Sequence, residues 1–141
     1  MAMHEEMIAH HSIQLRNDAS ECSRLYAFLS DNIAGLPVTE EQHHDLKLAA
    51  EEILSNIIRH GYDNSTEITI NLEFIVTENS ISLVFIDTGR AFNPLEASRP
   101  SAGDDLSQGG MGIQLVRSLT DDQSYERKGN TNVFTVTKHY N

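Results

Sequence analysis

The sequence predicts an α+β fold: a two-layer sandwich in which three helices cover one face of a mostly antiparallel sheet. The first observation is the order of the elements, β-α-α-β-β-loop-α-β-β, in which strands come in consecutive pairs with helices between them. The second is that apolar residues recur every three or four positions in the helical segments. No repeat, low-complexity tract or linker interrupts the chain, so residues 1–141 are predicted to form a single domain.

The N-terminal part is predicted to be a strand followed by a helix. "MIAHHSIQLR" (7–16) has a strand-like alternation of polar and apolar residues. Asp18, or Asn17 beside it, can cap a helix that runs to about Ile33. "AGLPV" (34–38) then ends that helix, because glycine and proline interrupt helical backbone. Its apolar face is predicted to consist of Leu25, Phe28, Leu29 and Ile33.

A second, longer helix is predicted from Thr39 to about His60. Thr39 and Gln42 stand at the spacing of a capping box, in which each side chain bonds the backbone N–H of the other residue. Gly61 supplies a C-terminal stop. The apolar stripe predicted to be buried consists of Leu46, Ala49, Ala50, Ile53, Leu54, Ile57 and Ile58.

The C-terminal half is predicted to hold two strand pairs separated by a loop and a helix. Residues 65–79 and 80–89 are rich in Ile, Val, Thr and Phe, and the turn "ENS" between them predicts a hairpin. Residues 90–110 form a long irregular segment, and loops of this length are usually functional or disordered. The helix "MGIQLVRSLTDD" starts just after Gly110, and the strands "QSYERKG" and "TNVFTVTKHY" close the chain.

Composition disfavours nucleic acid as a partner and a membrane as the location. The formal net charge is −11, from 10 Lys and Arg against 21 Asp and Glu, and no basic patch appears, so nucleic acid would be repelled. The longest apolar runs are far too short to span a membrane, and no signal peptide is visible. With Cys22 as the only cysteine, a reducing, cytoplasmic location is the expectation.

The long helix carries the first candidate site. Glu52, Asn56 and His60 are spaced four residues apart, so they follow one edge of the apolar stripe. Such an edge is half in the core and half facing whatever packs alongside. Polar flanking residues, with His60 favoured by the helix dipole, are the simple alternative.

The second candidate site is "FIDTGRAFNP" (85–94), where an apolar strand runs into Asp87. A buried acid is costly unless a donor hydrogen-bonds it, and its oxygen could accept an exocyclic amine from a ligand. Gly89 would let backbone and ligand approach closely. The same residues are also those that ordinary turns use.

The third candidate site is "GGMG" (109–112) at the start of a helix, where free backbone N–H groups can bind an anion. It is not a P-loop, because no Gly-Lys-Ser/Thr follows. It is not a dinucleotide fingerprint either, because the segment before it is a loop.

Together these motifs resemble the N, G1 and G2 boxes of the GHKL (HATPase_c, Bergerat-fold) ATP-binding family. The short chain is most similar to the anti-sigma-factor serine/threonine kinase branch of that family, the SpoIIAB/RsbW-like regulators. "EEILSNIIRHGY", "DTGRAFNP" and "GGMGIQLVRSLTDDQSYERKGNTNVFTVTK" carry the resemblance, which extends from about residue 10 to 140.

The resemblance implies roles for the helix residues. Glu52 matches the family's general base, which takes a proton from the attacking hydroxyl, and Asn56 matches the ligand of Mg²⁺. His60 matches a position where many relatives carry histidine, with no implied role beyond shaping the helix end.

The resemblance also implies an ATP site. Asp87 matches the residue that accepts the adenine amino group, and Gly89 the glycine beside the base. Ala91 stands where many relatives have a second glycine before Phe92. The phosphate-binding segment is represented by Gly109, Gly110, Met111 and Gly112, with residues 95–108 as a lid. Thr131 or Asn132 is expected to add a polar contact near the adenine, and the sequence does not choose between them.

The implied function is an ATP- and Mg²⁺-dependent serine/threonine protein kinase in a partner-switching circuit. Its substrate would be a STAS-domain antagonist, and a sigma factor is the implied second partner. Regulators of this family often dimerise, which makes a homodimer through the N-terminal strand an expectation. The alternative is a nucleotide-dependent sequestering module with little or no kinase activity, which needs Asp87 and GGMG but no base.

Two other classes are disfavoured by the sequence. A metal hydrolase could use His10–His11 and His43–His44, but adjacent side chains on a helix or strand point apart and no HExxH motif occurs. A histidine kinase would need a dimerisation helix pair before the ATP domain, for which the chain has no room.

Overall fold

Five strands form one antiparallel sheet, in the spatial order β1-β2-β3-β5-β4. The structure is a computed structural model that describes residues 6–61, 68–96 and 111–140. The strands are β1 (Ala9–Arg16), β2 (Thr69–Val76), β3 (Ser80–Asp87), β4 (Asp122–Lys128) and β5 (Thr131–His139). The helices are α1 (Cys22–Ile33), α2 (Glu40–Gly61) and α3 (Met111–Leu119). The predicted α+β class is confirmed.

The strands alternate between buried and half-exposed residues because the helices cover only one face of the sheet. In β2, for example, Ile70, Leu72, Phe74 and Val76 are buried, whereas the residues between them are half-exposed. The core lies between this face and the helices, and its largest fully buried side chains include Phe74, Phe85, Leu15, Leu25, Leu29, Leu46, Ile53 and Leu54. The two apolar faces that the sequence predicts for α1 and α2 therefore supply much of the core.

The capping box predicted for the second helix is present, whereas the predicted cap of the first belongs to the short turn before α1, which has no side-chain cap of its own. Thr39 and Gln42 form the capping box: the Thr39 N–H donates to Gln42 Oε1 at 2.9 Å and the Gln42 N–H donates to Thr39 Oγ1 at 3.1 Å. Asp18 accepts from the Ser20 N–H and caps a short 3₁₀ turn that leads into α1. Asn17 is not the cap, since its Oδ1 accepts from the N–H of Ile68, beside β2.

Several predicted boundaries need correction. The third helix is predicted to reach residue 122, but α3 ends at Leu119 and β4 begins at Asp122. The Lys138 ammonium donates to the Leu119 carbonyl at 2.9 Å and also pairs with Asp45 of α2 at 3.2 Å. A cation at the last carbonyls favours a helix end there. This lysine also ties α3 to α2.

The hairpin turns one residue earlier than the predicted "ENS", and β3 ends at Asp87, two residues before its predicted end. Residues 77–79 connect β2 to β3, and the Thr77 hydroxyl accepts from the N–H groups of Asn79 and Ser80. A threonine hydroxyl that bonds the backbone in this way closes the turn locally. Residues 65–67, and residues 97–110 of the predicted loop, lie outside the described part of the chain.

Register places the end of β3 beside the start of β5. Asp87 is paired with Asn132, and Phe85 with Phe134 two positions further along. On β4, Tyr125 is paired with Phe134, so it comes to the same corner of the sheet. Among the described residues, no helix combines the length and apolar character that crossing a membrane requires.

Candidate functional site

A cavity lies between α2 and the corner of the sheet where β3, β4 and β5 meet, and its empty space, including the part open to solvent, is about 350 Å³. Apolar side chains supply much of the wall and polar groups are interspersed, a lining typical of ligand pockets. The lining residues are Ile53, Asn56, Ile57, Asp87, Arg90, Phe92, Pro94, Tyr125, Asn132 and Phe134.

Asp87 is the buried acid of this pocket, with only 4% of its surface exposed. Its Oδ1 accepts from the Gly89 N–H at 2.8 Å and from the Asn132 amide at 3.1 Å. These donors offset the cost of removing a carboxylate from water. The predicted turn and the predicted ligand site therefore coincide, since Asp87 both closes the turn to Gly89 and lines the cavity.

Asn132, rather than Thr131, is the polar residue that reaches the pocket. Asn132 is 5% exposed and lines the cavity, whereas Thr131 Oγ1 donates to Asn130 Oδ1 at 3.2 Å and is not among the lining residues. The alternation of β5 explains the difference, because neighbouring residues of a strand face opposite sides. Register therefore brings Asn132, and not Thr131, to the cavity.

The turn after β3 is held by β4 as well as by β5. The Arg127 guanidinium donates from Nη1 to the Gly89 carbonyl at 2.7 Å. Gly89 is buried, whereas Ala91 is exposed and does not line the cavity. Phe92 does line it.

Glu52 and Asn56 converge on the first turn of α3. A Cβ atom placed on Gly112 would lie 2.7 Å from Glu52 Oε2 and 4.0 Å from the Asn56 amide nitrogen. Asn56 is 6% exposed and lines the cavity, while Glu52 is half-buried. Of these two side chains only Asn56 lines the cavity; Glu52 lies against the start of α3, where a residue without a side chain leaves its carboxylate in place.

The remaining residues of the predicted phosphate segment are only partly described. Gly109 and Gly110 lie outside the described residues, and Met111 is known here as the first residue of α3. Gly112 is therefore the one member of the set with described neighbours.

His60 supports the wall of the pocket from behind. Its ring stacks on that of Phe92, with 4.6 Å between the centroids and 22° between the planes. Burial lowers the pKa of His60, and the nearby positive charge of Arg59 lowers it further. The spacing of Glu52, Asn56 and His60 therefore has a structural explanation: all three lie along the side of α2 that borders the pocket.

The stack predicts that stability falls at acid pH through His60. His60 binds its proton more weakly in the folded state than in the unfolded chain. Its contribution to the free energy of unfolding is therefore complete above about pH 6.5, and it is lost as the pH falls through the lower pKa of the folded state. We expect His60→Phe, which keeps an aromatic ring but does not titrate, to lose less stability than the natural chain between pH 7.5 and 5.5. Urea unfolding at the two pH values measures the difference. Equal losses in both proteins would contradict this role.

Sequence reasoning missed Tyr125 and Arg127 as parts of the site. Both lie on β4, and they approach the pocket only because β4 pairs with β5 at the register Tyr125↔Phe134. Alternation along "QSYERKG" could have suggested that Tyr125 faces inward, but it carries no register.

The histidine pairs do not form a metal site in the described part of the chain. There, no group of three or more His, Cys, Asp or Glu side chains is placed to hold a metal ion. His10 pairs instead with Glu73 on the neighbouring strand at 2.7 Å. His43 lies 3.5 Å from the Ser30 hydroxyl of α1.

Residues 15–138 match the family described as the histidine kinase-like ATPase domain. The chain belongs to this family. The match covers all five strands except the first part of β1 and the last residue of β5. It also covers α2 and the Asp87 turn, which line the pocket, and α3.

Named relatives within the histidine kinase-like ATPase family are kinases and anti-sigma factors. The serine/threonine-protein kinase BtrW of Bordetella bronchiseptica is 34% identical over 97 residues, covering 67% of this chain and 68% of the relative. The anti-sigma F factor of Clostridium beijerinckii is 30% identical over 117 residues, covering 77% and 79%. The serine-protein kinase RsbW of Bacillus velezensis is 28% identical over 120 residues, covering 80% and 74%. The predicted branch of the family is confirmed.

Solved structures of histidine kinase-like ATPase domains share the fold. The RsbU and RsbW domains of a Mycobacterium tuberculosis protein align with a TM-score of 0.67 at 15% identity, covering 92% of this chain and 32% of that one. This chain thus spans about a third of that solved chain. The histidine kinase domain of a blue-light-activated histidine kinase from Erythrobacter litoralis aligns with a TM-score of 0.55 at 15% identity, covering 86% and 60%.

Proposed function

We propose that this chain is an ATP-dependent serine/threonine protein kinase of the anti-sigma-factor type. The observation that carries the proposal is the convergence of Glu52 and Asn56 on the start of α3, at the edge of a pocket whose other end holds Asp87. A base, an amide oxygen and a helix N-terminus are what the γ-phosphate end of a nucleotide needs. The names of the similar proteins support the same function.

The pocket would bind ATP in one orientation. Asp87 would accept a hydrogen bond from the adenine amino group, and the apolar walls, Phe92 among them, would enclose the base. The phosphates would then extend along α2 toward α3, where free N–H groups and the helix dipole favour negative charge. Gly109, Gly110, Met111 and Gly112 are proposed as the phosphate-binding segment.

The residues present fit a Mg²⁺ ion bound together with the nucleotide. Asn56 carries an amide oxygen one helical turn from the Glu52 carboxylate, and Mg²⁺ prefers oxygen ligands, retains waters and bridges phosphate oxygens. We propose Asn56 as its protein ligand. When bound, the ion would neutralise phosphate charge.

Glu52 would act on the hydroxyl of the substrate. Its carboxylate would accept the proton as the serine or threonine oxygen forms a bond to the γ-phosphorus. The bond between that phosphorus and the oxygen that bridges the β- and γ-phosphates would break at the same time. ADP leaves and a phosphoserine or phosphothreonine remains. Such transfer depends on positioning and charge neutralisation more than on covalent chemistry by the enzyme.

The proposed protein substrate is a STAS-domain antagonist, with a sigma factor as the second partner. The anti-sigma F factor among the relatives supports this circuit. We further propose that residues 1–141 act as one domain, that the chain can form a homodimer, and that it works in the cytoplasm, where ATP is available.

Replacing Asp87 with asparagine is expected to weaken ATP binding about 10- to 100-fold, as for a lost hydrogen bond to a charged acceptor. The new amide would also face the donors of Gly89 and Asn132. Calorimetric titration with ATP and Mg²⁺ measures the affinity, and transfer of labelled phosphate to a STAS-domain protein of the same genome measures activity. Asp31→Asn, the same change at an exposed site on α1, is the control. Undiminished ATP binding by Asp87→Asn would refute the site.

A further inference from the structure

The Asn132 side chain connects β4, β5 and the turn after β3 through four hydrogen-bonded neighbours. Its nitrogen lies 3.1 Å from Asp87 Oδ1, 2.9 Å from the Arg90 carbonyl and 3.4 Å from the Gly89 carbonyl. Its oxygen accepts from the Tyr125 hydroxyl. We call Asn132 and Tyr125 the amide clasp.

The chemistry of these neighbours fixes which way the amide points. A carboxylate and two carbonyls accept hydrogen bonds and cannot donate them, so the NH₂ end of Asn132 must face them. Tyr125 must then donate to the opposite end. A flipped amide would set its oxygen against three acceptors. The orientation therefore does not depend on how the side-chain atoms are assigned.

This arrangement determines how Asp87 is presented to the pocket. Oδ1 is held between two protein donors, the Gly89 N–H and the Asn132 amide, so the plane of the carboxylate is fixed. All three residues are buried, so few groups other than these donors can bond the carboxylate from the protein side. A carboxylate held in this way is an acceptor with a defined direction.

We propose that the amide clasp is the positioning device that makes Asp87 selective for a nucleotide with an exocyclic amine, with Asn132 as the positioning residue and Tyr125 fixing it. This rests on the proposed ATP site. A 6-amino purine donates toward the carboxylate, whereas a 6-oxo purine presents an acceptor to it, and an unsubstituted purine presents neither group. Without the clasp, Asp87 Oδ1 keeps the Gly89 N–H but loses its donor from β5, so the acceptor offered to the amine is less well directed.

The test measures coupling between Asn132 and the amino group of the ligand. Calorimetry gives the affinities of the natural chain and of Asn132→Ala for ATP, for purine riboside triphosphate, which lacks the amine, and for GTP. The natural chain is expected to bind ATP about 10-fold or more tightly than the analogue without the amine. In Asn132→Ala this ratio is expected to approach one, through weaker binding of ATP alone. A general loss of pocket structure would instead weaken all three ligands equally, and that result would overturn the proposal.

Two further variants make the result decisive. Tyr125→Phe removes only a hydroxyl, and it is expected to lower the ratio of the two affinities, for ATP and for the analogue without the amine, several-fold. If Asn132→Ala does not fold, Tyr125→Phe alone is the test. An unchanged ratio in Tyr125→Phe refutes the clasp. Thr135→Ala, on the same strand but the half-exposed face, is the control and should keep the natural ratio. If the natural chain does not bind ATP at all, the proposed function fails. If it binds ATP selectively and the clasp variants do so too, only this inference fails.

Discussion

Replacing Glu52 with glutamine is expected to slow phosphate transfer about 10²- to 10⁴-fold, the usual contribution of a positioned general base. Glutamine keeps the size of the side chain, which fits beside Gly112, but it cannot take up the proton of the substrate hydroxyl. ATP affinity should be nearly unchanged, because Asp87 and the apolar wall are untouched. Single-turnover transfer of labelled phosphate measures the rate, and calorimetry measures ATP binding.

The neighbouring acid supplies a matched control. Glu51 lies on the same helix, but its carboxylate accepts a hydrogen bond from the Tyr26 hydroxyl, which raises the pKa of Tyr26 to about 12. Glu51→Gln should therefore transfer phosphate at the natural rate. If Glu52→Gln transfers phosphate as fast as Glu51→Gln, Glu52 is not the base. If neither variant alters release of the partner while Asp87→Asn abolishes it, the chain is a nucleotide-dependent binding module.

Local signals in the sequence were sufficient for the fold. The capping box of Thr39 and Gln42 sets the start of α2 with contacts spanning only three residues. The apolar stripe of that helix and the alternation of the strands define which faces are buried, and these faces allow few arrangements other than helices on a sheet. Glu52 and Asn56 were predictable for the same reason, because helical spacing places them on one edge.

Contacts between distant segments were not predictable in this way. The preference for Asn132 over Thr131 depends on the register of β5 against β3, and the roles of Tyr125 and Arg127 depend on the register of β4. The stack of His60 on Phe92 joins the end of a helix to a loop 32 residues later in the chain. The end of α3 at Leu119 depends on Lys138 from the last strand. Each contact depends on packing between elements, which no single segment encodes.

Replacing Gly112 with alanine is expected to slow phosphate transfer about 10²-fold while leaving the fold intact. The new methyl group would lie 2.7 Å from Glu52 Oε2, too close for any real contact. The carboxylate is the far end of a flexible side chain, so it moves aside instead of the two helices separating. A displacement of about 1 Å at a catalytic group can cost a rate factor of this size. Alanine also favours helix over glycine by up to about 1 kcal/mol, so thermal unfolding should show no loss of stability.

A double mutant distinguishes displacement of Glu52 from other effects of the methyl group. If Gly112→Ala acts only by moving the base, it should slow transfer little further in a chain that already carries Glu52→Gln, because the two changes remove the same interaction. Losses that multiply would show that Gly112 has a separate role, such as close approach of its backbone to the phosphates. ATP titrations of Gly112→Ala separate these cases independently, since a blocked phosphate site weakens ATP binding and a displaced base does not. A chain whose rate falls while its ATP affinity and melting temperature are retained would locate the loss at Glu52.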